Sequence, residues 1–544
     1  MSNKAGSYLK GATVLAAAGI LSRLLGVFYK VPLYSLVGSY GNGLISNATN
    51  IYTLLLMVST VGLPVAISKM ISENVAVKDY RGAHDVFRVS MMTLAVMGGL
   101  ATLFLFLGAD WLIEVSGWAP ETYSSIIAIA LAPLIISICS AYRGFFQGFQ
   151  IMTPTAISQI VEQFVRVGLG IFLCWFCISS DFGVGVASGG AVFGSTAGGI
   201  FAMLILAFLY WAFTTANQKK LTESAREVPL TKKEIFKRLV YIAVPVTLTS
   251  AIVSIFSFAD SLIYVQRLSL AGINQEMATE MFGDLANADT LINIPLVISG
   301  TLAVAMIPAI SESFALRDKK AVGYKIDIAI RIVVMVALPC CVGLSVLSQG
   351  IFDALFPGSP YGPSILVFYS FATIFMMLSN TFQSILQAID RFRVPLINLL
   401  IAVVIRFVTS WIFLAVPIFN IQGIVISSVI TFVFLTWSNY LAVRRFTGVR
   451  VEVRQTVVKP LISAVVMGLV CFLIYTLAAF VLGEMIHTRI VAIMVLLVIM
   501  VVAVVVYGVV MIMTGGITEE EMEFLPMQGK IRPFYEKMRQ LLNK

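Results

Sequence analysis

Charge is what this chain has least of. Only 12% of its 544 residues are Asp, Glu, Lys or Arg, where a soluble domain carries about 25%. With 59% hydrophobic residues and a mean hydropathy of +0.94, that excludes a soluble globular fold and leaves a polytopic membrane protein. The net charge of +9 does not signal nucleic acid, because the basic residues cluster in short segments between apolar runs. Histidine occurs only at His84 and His487, both near loops, and no HExxH is present, so a zinc-hydrolase ligand set is missing. No GxxxxGK(S/T) occurs, which leaves built-in ATP hydrolysis out. The six cysteines lie in or beside apolar runs and read as free thiols rather than a disulfide framework. Cys174 and Cys177 form a CxxC, but without a redox-domain pattern around it. The first apolar run lacks a small-residue cleavage site and reads as a retained helix.

What the chain has instead is apolar length. A crossing needs about 20 residues, and fourteen runs of that size follow one another, from near 10–30 to near 488–514. Lys4, Lys10, Lys78, Arg81, Arg143 and the run from Lys219 to Arg238 fall on one side, whereas the other side holds little beyond Lys30, Arg267 and Arg489. The positive-inside rule then puts both termini in the cytoplasm.

The halves repeat. Ile71-Ser72-Glu73 recurs as Ile310-Ser311-Glu312, the stretch Tyr142 to Arg166 recurs as Phe382 to Arg406, and Asp181 recurs as Asn420, all offset by 239 or 240. Six crossings return the chain to its starting side, so the repeat is parallel, with a substrate site expected between the lobes. The expected fold is an all-α polytopic membrane protein of about 14 transmembrane helices, two six-helix lobes plus two C-terminal helices. Its parts are an N-lobe (1–215), a cytoplasmic linker (216–235), a C-lobe (236–446), spans thirteen and fourteen (447–515) and a cytoplasmic amphipathic tail (516–544).

Few ionisable residues enter the spans. Arg23, Arg166 and Arg406 lie inside apolar runs, where a cation costs roughly 2.5–3.5 kcal/mol and so faces a protein interior or a water-filled path. Unpaired interior cations suit an anionic substrate, and arginine's planar fork suits phosphate. Lys30 lies seven residues beyond Arg23, and Arg267 seven beyond Asp260. Lys30 reads equally as an interior cation or as one reaching for the outer interface. Glu162 and Arg166 stand at i and i+4, so a self-neutralising pair on one helix is expected. Arg406 has Ala402 in the equivalent place and must find its partner elsewhere or meet a ligand. Glu162, Asp260 and Asp289 are the acids available for gating or ion coupling. Gly190, Gly194 and Gly198, four apart, read as a close helix-packing stripe.

Several of these stretches resemble the MurJ-like branch of the MOP flippase superfamily, which takes in the YtgP and stage V sporulation protein B groups. They are Ser22-Arg23-Leu24-Leu25-Gly26, then Gly62 to Lys69, then Arg143-Gly144-Phe145-Phe146-Gln147-Gly148 running on to Gln163. The resemblance covers essentially the whole chain. It implies a multi-pass protein of a bacterial cytoplasmic membrane that flips undecaprenyl-diphosphate-linked saccharide, lipid II foremost, by alternating access. The diphosphate would bind in a central cavity at Arg23, Lys30, Arg166 and Arg406. It further implies no cofactor, a drive from the membrane potential or an ion gradient, membrane lipids and the cell-wall synthesis machinery as partners, no nucleic acid, and a monomer. The chain departs from the Gram-negative group at Tyr29-Lys30, where that group has Arg-Asp, and at Ala288-Asp289-Thr290-Leu291, where it has Ala-Asp-Arg-Leu. Two readings stay open beside this one: a MATE-type drug or cation antiporter, and a flippase for another lipid-linked polysaccharide of capsule, teichoic or spore-cortex type. A glycosyltransferase would need a catalytic cluster in an outer loop, and the longest, about 264–284, holds only Glu276, Glu280 and Asp284.

Overall fold

A membrane-spanning backbone must satisfy its own hydrogen bonds, and this chain does so with helices. The computed structural model describes residues 2–60, 62–218 and 231–516, with the side chains at 2–24, 27, 58–60, 245, 246, 248–250, 252, 301–305 and 309 outside the description. Most of the linker and nearly all of the tail named above lie outside the described residues. Two compact units divide the chain, Met1–Gly283 and Asp284–Lys544. The first holds α1 (Ser2–Thr60), α2 (Gly62–Ala76), α3 (Tyr80–Ser116), α4 (Thr122–Ile129), α5 (Ala132–Gly148), α6 (Thr153–Ser179), α7 (Gly183–Ala216), α8 (Lys232–Leu270) and the start of α9 (Gln275–Ala315). The second holds the rest of α9, then α10 (Lys319–Val346), α11 (Ser348–Leu355), α12 (Gly362–Ala388), α13 (Arg393–Phe413), α14 (Gln422–Thr447), α15 (Lys459–Leu482) and α16 (Arg489–Met513).

Helix α1 is two helices joined at a break. Gly38 interrupts it with φ 66 and ψ −167, a region that essentially only glycine enters. Tyr29 and Tyr52 both lie within electrostatic reach of Arg166. A straight helix would hold them about 35 Å apart, so the chain reverses at Gly38. Eleven segments among the described residues are long and apolar enough to cross a membrane, the first containing the Gly38 break. Two further helices, α8 and α9, run 39 and 41 residues. The set is consistent with fourteen crossings.

The internal repeat is written into the backbone. Positive φ is uncommon outside glycine, and the six described cases form three pairs: Lys78 with Arg317, Gln150 with Asp390, and Asp181 with Asn420. Each pair is offset by 239 or 240, as in the sequence. The helix caps repeat as well. Asp79 accepts from the Gly82 amide at the start of α3, and Asp318 accepts from the Lys320 and Ala321 amides at the start of α10.

Helix α8 packs within the first unit. Trp118 Nε1 donates to the Ser261 carbonyl at 2.6 Å, Asn47 donates to the Tyr264 hydroxyl at 3.0 Å, and Arg238 pairs with Glu73 at 2.7 Å. Its start is a capping box in which Thr231 and Glu234 bond reciprocally. The core of this unit is aromatic, with Phe87, Phe145, Tyr210 and Phe213 meeting edge to face or tilted. All six cysteines are free.

Candidate functional site

The site begins with the run Arg143 to Gly148 on α5. Gly144 and Gly148 bring this helix against α2, where an added Cβ would stand 2.9 Å from Ile67 and 2.6 Å from Ile71. Phe145 and Phe146 fill the core behind them. Arg143 reaches toward α6 instead. Its Nε donates to Ser158 Oγ at 3.0 Å and its Nη2 to Glu162 Oε2 at 2.7 Å. The Ser158 hydroxyl hydrogen is directed to the Thr155 carbonyl at 2.8 Å, which leaves its lone pairs for the arginine. The Arg143 and Glu162 side chains are only 13% and 18% exposed.

This differs from the pairing expected along α6. Glu162 serves Arg143, one helix away, and not Arg166, four residues on. A guanidinium held at two points is a strong competitor for a carboxylate. Arg166 is half-buried, and among the described residues no carboxylate lies within ion-pair distance of it. Its electrostatic neighbours include the buried Tyr29 and Tyr52. Tyr29 donates to the Ala191 carbonyl at 2.8 Å, tying α1 to α7.

The glycine stripe of α7 fixes the backbone under these charges. An added Cβ at Gly190 would meet Leu173 at 3.3 Å, at Gly194 the Arg166 carbonyl oxygen at 2.4 Å, and at Gly198 the Glu162 carbonyl oxygen at 2.4 Å. The stripe thus lies on the α6 turns that carry Glu162 and Arg166.

In the second unit Arg406 is 5% exposed and donates to Ser428 Oγ on α14. Tyr369 on α12 lies within electrostatic reach of Arg406, and its hydroxyl donates to Asp289 Oδ1 on α9 at 3.1 Å. Asn293 donates to Asp289 Oδ2 at 3.0 Å. Arg406 is therefore set in a polar cluster drawn from four helices, which spacing along α13 alone could not reveal.

The other expected site residues sit as follows. Lys30 is half-buried and engaged with the protein, and Asp260 is 3% exposed and likewise engaged. The backbone of Arg23 is helical within α1, but its side chain lies outside the described residues. His84 contacts the Tyr210 hydroxyl at 3.2 Å, and His487 Nδ1 lies 2.8 Å from Asp353 Oδ2. Among the described residues no group of three or more His, Cys, Asp or Glu is placed to hold a metal ion. An apolar cavity of about 680 Å³ opens among α2, α3 and α8, lined by Leu63, Met92, Val96, Lys232, Phe236 and Val240. None of the charged site residues lines it, so cavity size and chemistry part company here.

Comparison with known proteins bears on what such a fold does. The family described as "Polysaccharide biosynthesis protein" matches residues 8–314. The chain is 28% identical over 486 residues to the lipid II flippase MurJ of Bacillus subtilis (strain 168), covering 84% of this chain and 86% of that one. It is 28% identical over 451 residues to the stage V sporulation protein B of the same organism, covering 82% and 86%. A solved structure of lipid II flippase MurJ in an inward closed conformation matches with a TM-score of 0.62 at 16% identity, covering 90% of this chain and 98% of that one. That last likeness speaks for the fold.

Proposed function

The chain belongs to the polysaccharide biosynthesis protein family, in the MurJ and stage V sporulation protein B branch of the MOP flippases, and from that premise we propose that it flips a lipid-linked saccharide across the bacterial cytoplasmic membrane. Its relatives are flippases and transporters rather than enzymes. The substrate we assign is undecaprenyl-diphosphate-linked, with lipid II first. The observation that carries this reading is Arg166, a half-buried cation in a membrane-spanning helix whose adjacent carboxylate is taken up by Arg143. An intramembrane charge left in that state is functional by default, and a diphosphate is the anion that a guanidinium fork fits. Arg23 and Lys30 add to the cationic set of the first unit. Arg406, engaged by its own cluster, contributes field and rigidity before it contributes contacts.

Without an ATP motif the drive is the membrane potential or an ion gradient, with about 2.3 kcal/mol per charge per 100 mV to bias the cycle. Glu162, Asp260 and Asp289 are the span acids that a gate or a coupling ion would use. Both termini lie in the cytoplasm, and the protein works as a monomer alongside the cell-wall synthesis machinery. A cation antiporter needs an uncommitted acid in a span, and each of these three already holds a partner in the structure.

The test uses cells depleted of their own lipid II flippase and expressing this chain. An enzyme that cleaves lipid II is added from outside, and the accessible fraction of the pool is measured. Cleavage restored by the chain, and lost in Arg166→Gln with normal membrane levels, is the expected result. No cleavage, with the protein present in the membrane, refutes lipid II as substrate.

A further inference from the structure

Resting on that reading, we propose that Arg143 is a positioning residue for the substrate site: it holds Glu162 off Arg166 and so keeps the Arg166 charge available to an anionic ligand. Three ionised groups are involved, and together they carry one net positive charge. Which arginine carries it is decided by the side chain of Glu162. Opposite charges at i and i+4 are neighbours on a helix surface, so without a competitor Glu162 cancels Arg166 on α6.

The competitor is built in. Arg143 is anchored to Ser158 at 3.0 Å and to Glu162 at 2.7 Å, and α5 is seated on α2 through Gly144 and Gly148. The backbone of α6 has little freedom to answer, because Gly194 and Gly198 of α7 lie against the Arg166 and Glu162 carbonyls. Only a side-chain rotation can move Glu162 between its two arginines. Buried Tyr52 stands within electrostatic reach of all three charges. The net positive charge therefore resides at Arg166 while Arg143 is present, and at residue 143's site nothing is left to attract a ligand.

The experiment measures binding of undecaprenyl diphosphate to the full-length protein in nanodiscs. Arg143→Gln is expected to weaken binding about tenfold, the scale of one charge-assisted contact. Arg143→Gln with Glu162→Gln is expected to return to within about twofold of the parent protein. In an Arg166→Gln background, Arg143→Gln is expected to change nothing further, a result that a purely structural arginine would not give. Should Arg143→Gln not fold, Ser158→Ala removes one anchor only, and a smaller loss with the same dependence on Glu162 and Arg166 is expected. Equal losses with and without Arg166 overturn the inference. A ligand-free structure of the Arg143→Gln variant separates this inference from the functional reading. Glu162 found on Arg166 supports the positioning role whatever the substrate, even where the parent protein fails to bind the diphosphate lipid and the functional reading falls. Glu162 still apart from Arg166 overturns it.

Discussion

Gly198→Ala adds one methyl group where α7 rests on α6. That methyl would stand 2.4 Å from the Glu162 carbonyl oxygen and 3.3 Å from the Arg166 amide nitrogen. Both are backbone atoms and neither can swing aside. Ordinary contact lies near 3.5 Å, so the helices must part by about 1 Å. Overpacking of this kind costs about 1–3 kcal/mol. The control is Gly168→Ala, on the exposed side of α6, where no atom lies within 4 Å of the added Cβ. Both changes remove a helical glycine, gaining about 0.5–1 kcal/mol. That gain cancels in the comparison, leaving the overpacking difference, roughly five- to 150-fold in an opening equilibrium. Cys174 reports it, since this thiol is fully buried on α6 in the cluster that includes Ala187 and Ala191 of α7. In a background where Cys174 is the only cysteine, its labelling rate in nanodiscs should rise for Gly198→Ala and stay level or fall for Gly168→Ala. Equal rates for the two variants would refute the claim that the stripe sets the α6–α7 separation.

Gly38→Ala has open space around its Cβ, so its expected loss of about 1–3 kcal/mol comes from backbone strain alone; a thermal midpoint unchanged from the parent would contradict the turn. Arg406→Ala leaves the Asp289 and Tyr369 cluster without its buried cation and is expected to cost about 3–5 kcal/mol, seen as a loss of folded protein that Arg166→Gln does not show. Thr231→Ala removes the cap of α8, and faster hydrogen exchange in the first turn of that helix is the readout. The same cap is pH-dependent. Bonds from the Thr231 amide and hydroxyl hold the Glu234 carboxyl below its ordinary range, so its contribution is present above the unfolded carboxylate pKa of about 4.3. It is lost as pH falls through the lower folded value, and the protection of those amides relative to their intrinsic exchange rate should fall only in that acid window.

Much of the fold was legible because the bilayer imposes simple rules. Apolar length marked the helices, and the duplicated segments predicted a repeat that reappears in paired left-handed residues such as Lys78 and Arg317. The glycines of α7 were legible as a packing stripe for the same reason, since periodicity alone reports a helix face. The partners of the charges were not legible. Spacing along one helix pointed Glu162 to Arg166, but Arg143 arrives from the preceding helix, and in the sequence it reads as one more basic residue at a membrane edge. Arg406 shows the same limit, for its neighbours Asp289, Tyr369 and Ser428 lie on three other helices. Local periodicity reports which face of a helix is apolar, and says little about which polar group across a helix boundary will meet which.

The pairing of Arg143 with Glu162 also bears on how the protein is made. Each residue sits in a segment long and apolar enough to cross a membrane, and each would burden its helix during insertion, the arginine by less than the roughly 2.5–3.5 kcal/mol of a mid-span position because it lies near the end of α5. The turn between α5 and α6 is only the few residues from Phe149 to Met152, short enough for the charges to meet as soon as both helices have formed. The two segments are therefore expected to leave the translocon together, as a neutralised hairpin. A nascent chain ending between them would present the insertion machinery with an arginine whose counter-charge has not yet been synthesised.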